Sequence, residues 1–306
     1  MQELQKTLGG TYSFEGKGLH SGLKVQMTIR PSEENTGIRF LRTDIGKDAF
    51  IEANVDYVTH TQRGTTLENN GARVSTIEHV LSALWALGVD NAIIELDNYE
   101  VPILDGSALP YVNAITKDSL VEQKALRKVY NIEETIQYKD EQSGSELIIS
   151  PADDYSIDVT IDFNSKVLGV QKFHFDSSID YVTQIAPCRT FVFLHEIEFL
   201  FNNNLIKGGD LENAIVIAEK PVPQETLDKM AKLFNVEKLE KVPSGYLNNL
   251  QLHFPDECVR HKLLDIIGDF ALIGIRINGK VFANKSGHKI NTSMAKLIRQ
   301  KALNKI

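Results

Sequence analysis

The 306-residue chain has little cysteine: its only two are Cys188 and Cys258. Two cysteines so far apart do not make a disulfide scaffold or a cysteine-type zinc site, and they are typical of a reducing compartment. Long apolar runs are missing too. No early segment has a charged start followed by an apolar stretch, and none approaches the length of a membrane span. We therefore expect a cytoplasmic protein with no secretory signal and no membrane span.

Positive charge is also scarce. Lys and Arg number 33 against 41 Asp and Glu, for a formal net charge of −8. Proteins that bind nucleic acid by neutralising phosphates need the opposite balance, so we expect no nucleic-acid partner. A local basic pocket for one small anion remains compatible with this charge. The 42% hydrophobic and 24% charged residues are typical of a soluble globular protein with ample material for a core.

Four common motifs are missing from the sequence: HExxH, GxGxxG, GxxxxGK[ST] and GxSxG. These absences argue against the commonest metallopeptidase, dinucleotide-binding, P-loop and serine-hydrolase interpretations.

What the chain does have is a pattern that occurs twice. Several strand-like segments lead to the helical segment STIEHVLSALWALG and then to the strand-like NAIIEL. After about Lys128, further strand-like segments lead to the helical HKLLDIIGDFAL and then to IGIRING. His79 precedes Ile93 by 14 residues, and His261 precedes Ile275 by the same number. This spacing predicts an internal duplication into two α+β subdomains, residues 1–127 and 128–306, with both histidines at their shared interface.

The second helical segment carries a polar stripe. His261, Asp265 and Asp269 follow one another at intervals of four residues and therefore stack along one side of a helix. One interpretation is a solvated face with an i,i+4 pair that adds a few tenths of a kcal/mol. The other is a metal site, because a catalytic zinc takes three N or O ligands and leaves a position for water.

A third ligand could come from the first helix, where Glu78 and His79 are adjacent. His79 would bind the metal, and Glu78 would accept a proton from water. The simpler alternative is a capping box, in which Ser75 and Glu78 satisfy the helix terminus and His79 only packs beside small residues.

Other single residues have two interpretations each. Asp269 could orient the loop histidine His288, or His288 could be a turn residue without a role. Thr190 could be an ordinary strand hydroxyl or a donor to an oxyanion.

Lys262 could be an exposed helix lysine or a phosphate partner. Gly208 and Gly209 could be a plain loop or could let a substrate approach the backbone.

Together, seven segments resemble one family, the zinc-dependent UDP-3-O-acyl-N-acetylglucosamine deacetylases of lipid A biosynthesis. They occur in the family's order and cover nearly the whole chain: GKGLHSG, TIEHVLSAL, EVPILDGSA, CRTF, KGGDLENAIV, VRHKLLDIIGD and KSGHKINTSM.

The resemblance implies two similar α+β subdomains, each a small sheet with helices, and the helices sandwiched between the two sheets. It also implies Zn²⁺ bound by His79, His261 and Asp265. The implied reaction removes the N-acetyl group of UDP-3-O-(3-hydroxyacyl)-N-acetylglucosamine, the committed step of lipid A biosynthesis, and releases acetate.

The remaining roles are carried over by motif. Glu78 would be the general base, and His288, oriented by Asp269, the cationic partner. Thr190 would assist at the oxyanion. The residues expected near the substrate are Lys262, Phe191, Phe193, Gly209 and His20.

Two segments outside the seven motifs are also compared with the family. Residues 162–175 resemble the family's insert for the acyl chain, with Val167, Leu168 and Val170 as its apolar side chains. Residues 219–258 look longer than the connection usual in the family.

The sequence leaves other functions open. The alternatives are a zinc amidase of the same fold acting on another N-acyl substrate, or a non-catalytic binding protein. We expect a monomer, and in a longer parent chain a fused hydroxyacyl dehydratase domain.

Overall fold

The computed structural model describes residues 3–197, 211–220, 222–233 and 236–305. The strands and helices of the first half are Leu4–Thr7 (β1), Tyr12–Lys17 (β2), Lys24–Pro31 (β3), Ile38–Arg42 (β4), Phe50–Glu52 (β5), Val58–His60 (β6), Thr66–Asn69 (β7), Ala72–Ser75 (β8), Glu78–Leu87 (α1), Ala92–Leu96 (β9), Leu109–Ile115 (α2) and Val121–Leu126 (β10). A 3-10 turn, Val55–Tyr57, separates β5 from β6.

The second half is built from Val129–Asn131 (β11), Ile136–Asp140 (β12), Ser145–Ser150 (β13), Tyr155–Asp162 (β14), Val170–Phe175 (β15), Tyr181–Gln184 (α3), Phe191–Phe193 (β16), Ile215–Ile217 (β17), Gln224–Leu233 (α4), Glu257–Ala271 (α5), Arg276–Asn284 (β18) and His288–Leu303 (α6). Helix α6 begins directly after its N-cap residue, Gly287.

The main sheets of the two halves have the same topology. The first is ordered β2-β3-β9-β4-β5 and the second β12-β13-β18-β14-β15, with β11 pairing beside β18. In each sheet the strand that follows the histidine-bearing helix, β9 or β18, lies in the centre. It pairs antiparallel with one neighbour and parallel with the other. This match confirms the expected fold class of two similar α+β subdomains.

The helices lie where the two sheets meet. Helix α1 packs against α5 and α2, and α5 also packs against α6 and against strands β14 and β15. One continuous core joins the inward faces of both sheets to the apolar sides of α1 and α5. The alternation in β3, for example, turns Val25, Met27 and Ile29 inward.

A second, smaller hydrophobic cluster lies behind the two-stranded sheet β16-β17. Helix α4 contributes Leu227, Met230 and Ala231, and β17 contributes Val216. The segment 219–258 folds back onto β17, since Leu247 donates its N–H to the Val216 carbonyl. Among the described residues, no helix is both long and apolar enough to cross a membrane.

Candidate active site

Two helices from different halves bring three ligand-type side chains together. His79 lies in the first turn of α1, while His261 and Asp265 lie one turn apart on α5. The ligand atoms of the three residues lie within 4.8 Å of one another, and all three residues are buried. The imidazoles meet edge to face with ring centroids 5.0 Å apart. The structure thus brings the two histidines together between α1 and α5.

The polar stripe on α5 is not a solvated face. His261 is 1% exposed, Asp265 2% and Asp269 0%. The interpretation of this stripe as a surface ion pair is therefore wrong, because its carboxylates are buried and do not face water. Buried carboxylates need partners, and each of these has a distinct set.

The donors of this cluster fit a divalent metal ion. Asp265 Oδ1 is buried and has no hydrogen-bond partner among the residues that the structure describes. It lies 3.5 Å from His261 Nε2 and 3.9 Å from His79 Nε2. His261 Nδ1 donates to the Cys188 carbonyl at 3.0 Å, so its Nε2 lone pair points toward the cluster. Two imidazoles and one carboxylate form a donor set suited to Zn²⁺.

The protonation states also suit metal binding. Burial, with the neighbouring His261, lowers the pKa of His79 to about 3. Burial likewise lowers the pKa of His261. Burial alone would raise the pKa of Asp265, but the nearby Lys262 and the histidines overcome this and hold it below its usual range. Neutral imidazoles beside an ionised carboxylate are the forms that bind a metal.

A close contact between the helices sets this geometry. If Gly268 of α5 carried a Cβ, that atom would lie 2.1 Å from the Glu78 carbonyl oxygen. Only glycine therefore allows α5 to approach the backbone of α1 so closely. Gly268 directly precedes Asp269, and Glu78 directly precedes His79. The contact between Gly268 and Glu78 therefore affects the positions of the Asp269 carboxylate and the His79 imidazole.

Glu78 begins helix α1 and is buried. Its Oε2 accepts the N–H of Thr65 at 3.0 Å, and its Oε1 lies 3.7 Å from His288 Nε2. Burial raises the pKa of Glu78 to about 7, with the charge of His288 opposing and the carboxylates of Asp265 and Asp269 adding to the rise. The capping-box interpretation was wrong: Ser75 ends strand β8, Ile77 is the N-cap, and no side chain caps the helix.

His288 lies opposite Glu78, at the first residue of α6. Its Nδ1 donates to Asp269 Oδ2 at 3.0 Å, which leaves Nε2 directed toward Glu78 and Asp265. Burial would lower the pKa of His288, but the charges of Asp269, Glu78 and Asp265 raise it to about 9. His288 is therefore a cation at neutral pH.

Asp269 accepts two further hydrogen bonds. Thr65 Oγ1 donates to its Oδ1 at 2.6 Å, and Asn291 Nδ2 to its Oδ2 at 2.9 Å. Sequence reasoning missed both Thr65 and Asn291. No local pattern distinguishes Thr65 from the next residue, Thr66, and 204 residues separate Thr65 from Asp269.

A cavity of about 650 Å³ opens over these groups. All but two of the predicted site residues line it: His20, Glu78, His79, Thr190, Phe191, Phe193, His261, Lys262, Asp265 and His288. Asp269 lies behind His288, and Gly209 lies outside the described residues.

Lys262 links the ligand cluster to the aromatic part of the cavity. Its Nζ lies 2.7 Å from Asp265 Oδ2 and 5.5 Å from the centre of the Phe191 ring. Phe163, Phe191 and Phe193 form one aromatic group, with ring centroids 5.4 to 6.5 Å apart. Also in the cavity lining, His20 Nε2 contacts the Arg63 carbonyl at 3.0 Å.

The apolar wall of the cavity differs from the expected insert. Of residues 162–175, Phe163 lines the cavity, whereas Val167, Leu168 and Val170 do not. Leu168 is buried in the core, Val170 is 60% exposed, and Val167 packs where Gly245 leaves room for it. Five other apolar lining residues lie on and beside β16 and β17: Val192, Ile197, Leu211, Ala214 and Val216. Leu19, next to His20, also lines the cavity.

Comparison with known proteins covers nearly the whole chain. The family model of the UDP-3-O-acyl N-acetylglycosamine deacetylases (LpxC) matches residues 5–232 and 239–300. Of the segment 219–258 that looked longer than usual, only residues 233–238 are left unmatched.

Individual relatives are similar over the same span. The chain is 46% identical to a "Bifunctional enzyme LpxC/FabZ" of Porphyromonas gingivalis and 43% identical to one of Bacteroides thetaiotaomicron, in each case over 97% of this chain. It covers 64% of the length of each of these relatives. It is 38% identical to a "UDP-3-O-acyl-N-acetylglucosamine deacetylase" of a Nitratiruptor species, over 94% of this chain and 87% of the relative. The chain therefore belongs to the UDP-3-O-acyl N-acetylglycosamine deacetylase family.

Proposed function

We propose that this chain hydrolyses the N-acetyl amide of a UDP-3-O-acyl-N-acetylglucosamine, with Zn²⁺ held by His79, His261 and Asp265. One observation carries the proposal. An unpartnered carboxylate oxygen lies between two imidazole nitrogens, next to a carboxylate with a raised pKa and a cationic histidine. Family membership supplies the substrate class. A zinc ion in this position would supply Lewis acidity, which polarises an amide carbonyl and makes an attacking water more acidic.

Glu78 is suited to accept the proton of the attacking water. Its Oε2 is occupied by the Thr65 N–H, so Oε1 is the oxygen that faces the cavity side. A carboxylate with a pKa of about 7 is matched to proton transfer near neutral pH. We assign Glu78 as the general base.

His288 is suited to the opposite task. Because its Nδ1 is engaged by Asp269, its Nε2–H is the donor available to substrate. A cation at this place would stabilise negative charge that develops on the carbonyl oxygen, and could then protonate the leaving amine. Thr190, which also lines the cavity, would add a hydroxyl donor for the same oxygen.

The nucleotide side of the substrate would lie toward the aromatic group. Lys262 offers a cation for phosphate next to the rings of Phe191 and Phe193. His20, which also lines the cavity, is assigned to substrate. Gly209 remains a prediction. The apolar residues on and beside β16 and β17 would hold the acyl chain, in place of the Val and Leu side chains that we expected.

Hydrolysis of UDP-3-O-(3-hydroxyacyl)-N-acetylglucosamine tests this proposal. The purified zinc-loaded chain should release acetate and a free amine. Glu78→Gln should lower kcat by about 10²- to 10⁴-fold, the usual contribution of a general base. His261→Ala should lose stoichiometric zinc as well as activity. His174→Ala, which changes an exposed histidine on β15, is the matched control and should keep both.

Two results would contradict the proposal. One is full activity after chelation with no metal added back. The other is turnover that survives both Glu78→Gln and His261→Ala. The substrate class is tested separately: the same N-acetyl sugar nucleotide without its 3-O-acyl chain should be a far poorer substrate. Equal turnover of the two would favour a zinc amidase acting on another N-acyl compound.

Domain fusion, oligomeric state and cellular location of the whole protein are also proposals. The two bifunctional relatives carry a second name, and we retain fusion to a hydroxyacyl dehydratase domain as a prediction, tested by the mass of the natural protein. A monomeric state, tested by light scattering, and a cytoplasmic location, tested by cell fractionation, also stay predictions.

A further inference from the structure

Thr65 is fully buried at the place where the two halves of the molecule meet. Its backbone N–H donates to Glu78 Oε2 at 3.0 Å, and its side-chain hydroxyl donates to Asp269 Oδ1 at 2.6 Å. Among the described residues, no other one donates to both carboxylates. Thr65 thus connects the carboxylate on α1 with the carboxylate on α5 through a single residue.

The backbone contact makes the two oxygens of Glu78 unequal. Oε2 is held by Thr65, and Oε1 remains toward His288 Nε2 at 3.7 Å. The neighbouring Gly64 permits this approach, since a Cβ there would lie only 3.1 Å from Glu78 Oε1. The loop before β7 is therefore shaped to present a backbone donor to one particular oxygen of Glu78.

The hydroxyl contact has the corresponding effect on Asp269. Oδ1 is taken by Thr65, so Oδ2 is the oxygen that receives His288 Nδ1 and Asn291 Nδ2. A fully buried carboxylate without such a donor would rotate or would leave an acceptor unsatisfied. The orientation of the His288 ring therefore depends on the Thr65 hydroxyl, through Asp269.

We propose that Thr65 is a positioning residue that sets the proton acceptor Glu78 and the Asp269–His288 pair at a fixed separation across the active site. This inference rests on the proposed function, because it assigns Thr65 to the geometry of that reaction. The Thr65 side chain bonds to Asp269, and its backbone to Glu78. The two connections can therefore be separated by substitution.

The experiment compares side chains of similar size in the zinc-loaded protein. Thr65→Val keeps the branched shape and the backbone N–H but removes the hydroxyl. It should lower kcat by about 10- to 100-fold, as loss of such supporting hydrogen bonds typically does, with KM and zinc content within about twofold of the parent. Thr65→Ser keeps the hydroxyl and should restore most of kcat. Thr66→Val is the matched control on the adjacent residue and should leave kcat within about twofold.

A second pair of variants covers the case in which Thr65→Val does not fold. Serine and cysteine differ in one atom, and a thiol is a much weaker donor than a hydroxyl. Thr65→Cys should therefore have a kcat well below that of Thr65→Ser. Equal kcat values for these two, or a loss that appears only in KM, would overturn the proposal.

A spectroscopic readout does not depend on turnover. The His288 Nδ1–H, buried against Asp269, should give a slowly exchanging downfield proton signal that is absent from His288→Ala. Thr65→Val should shift or broaden this signal, and Thr66→Val should not. An inactive parent protein in which Thr65→Val still alters the signal would refute the proposed function and leave the positioning role intact. An unchanged signal in Thr65→Val would refute the positioning role.

Discussion

Replacing Gly268 with alanine should separate helices α1 and α5 and weaken zinc binding. The new Cβ would lie 2.1 Å from the Glu78 carbonyl oxygen, 2.8 Å from its carbonyl carbon and 3.0 Å from its Cα. All three atoms are backbone, so no side-chain rotation can relieve the contact. The first distance is about 1.3 Å short of the 3.4 Å at which ordinary contact begins. One helix must therefore move by about that amount.

The effect on stability is limited by two opposing contributions. Overpacking of this kind costs about 1 to 3 kcal/mol, whereas alanine is favoured over glycine inside a helix by about 1 kcal/mol. The net loss should be about 0 to 2 kcal/mol, a fall in Tm of at most several degrees. The protein should still fold.

The effect on the site should be larger, because His79 moves with α1 while His261 and Asp265 move with α5. Zinc tolerates deviations of only about 0.2 Å in its ligand distances. A displacement of about 1 Å should therefore lower zinc affinity by at least about tenfold and kcat by about 10²-fold. Gly268→Val should increase both losses.

Competition with a chromophoric chelator would measure the affinity, and thermal unfolding the stability. Ala271→Gly, at the last residue of the same helix, is the control: it weakens helix propensity by at most about 1 kcal/mol and should leave zinc affinity unchanged. Zinc affinity and kcat of Gly268→Ala equal to those of the parent would refute the reasoning.

Three further predictions concern charge and metal. Glu257→Gln should lower the free energy of unfolding, measured in urea, by about 3 to 5 kcal/mol, because it breaks a buried ion pair. In that pair Arg189 Nε lies 2.9 Å from the Glu257 carboxylate. An unchanged urea midpoint would contradict this prediction. Chelation of the zinc-loaded protein should lower its Tm and added zinc should restore it, since a ligand held 100-fold above its Kd stabilises by about 2.7 kcal/mol; a Tm insensitive to both steps would refute a metal site. Hydrogen bonds to Asp158 and Asp176 raise the pKa of His174, so NMR titration should give this histidine a pKa above the unfolded value of about 6.5. The stabilising contribution of His174 is then fully present below about pH 6.5 and is lost as pH rises through the raised pKa. His174→Asn should abolish this pH dependence of stability.

The periodic parts of the fold could be predicted from sequence. Apolar spacing identified helices α1 and α5, and the 14-residue interval from each histidine to the following strand indicated the duplication. Strand pairing could not be predicted. The parallel contacts β4-β9 and β14-β18 join segments far apart in sequence, and no local pattern records which strands become neighbours.

The relation between neighbouring residues of the candidate site was predictable because their spacing is itself geometric. His261 and Asp265 are one helical turn apart, and Glu78 adjoins His79, so their relation follows from helix geometry once each helix is identified. Thr65 and Gly268 were not predictable. Each acts through a contact that exists only when the two halves are packed together.

Burial explains why two local interpretations failed. A Ser75-x-x-Glu78 pattern satisfies helix termini when a helix begins in solvent, but α1 begins in the core, where Glu78 takes a backbone donor from another segment. His261 and Asp265 likewise match a surface pair, yet the partner helix covers them. In both cases the sequence pattern was real, and its environment decided its meaning.

The division of the candidate site between the two halves would link metal binding to the docking of the halves. His79 and Glu78 belong to the first half, whereas His261, Asp265 and His288 belong to the second. A ligand that requires both halves in place binds only the docked arrangement, so it must favour that arrangement by the same free energy with which docking favours binding. The buried contacts of Gly268 and Thr65 lie on this interface. The Gly268 contact should therefore affect zinc affinity without involving a metal ligand, and a change at Gly268 should alter both zinc affinity and the cohesion of the two halves.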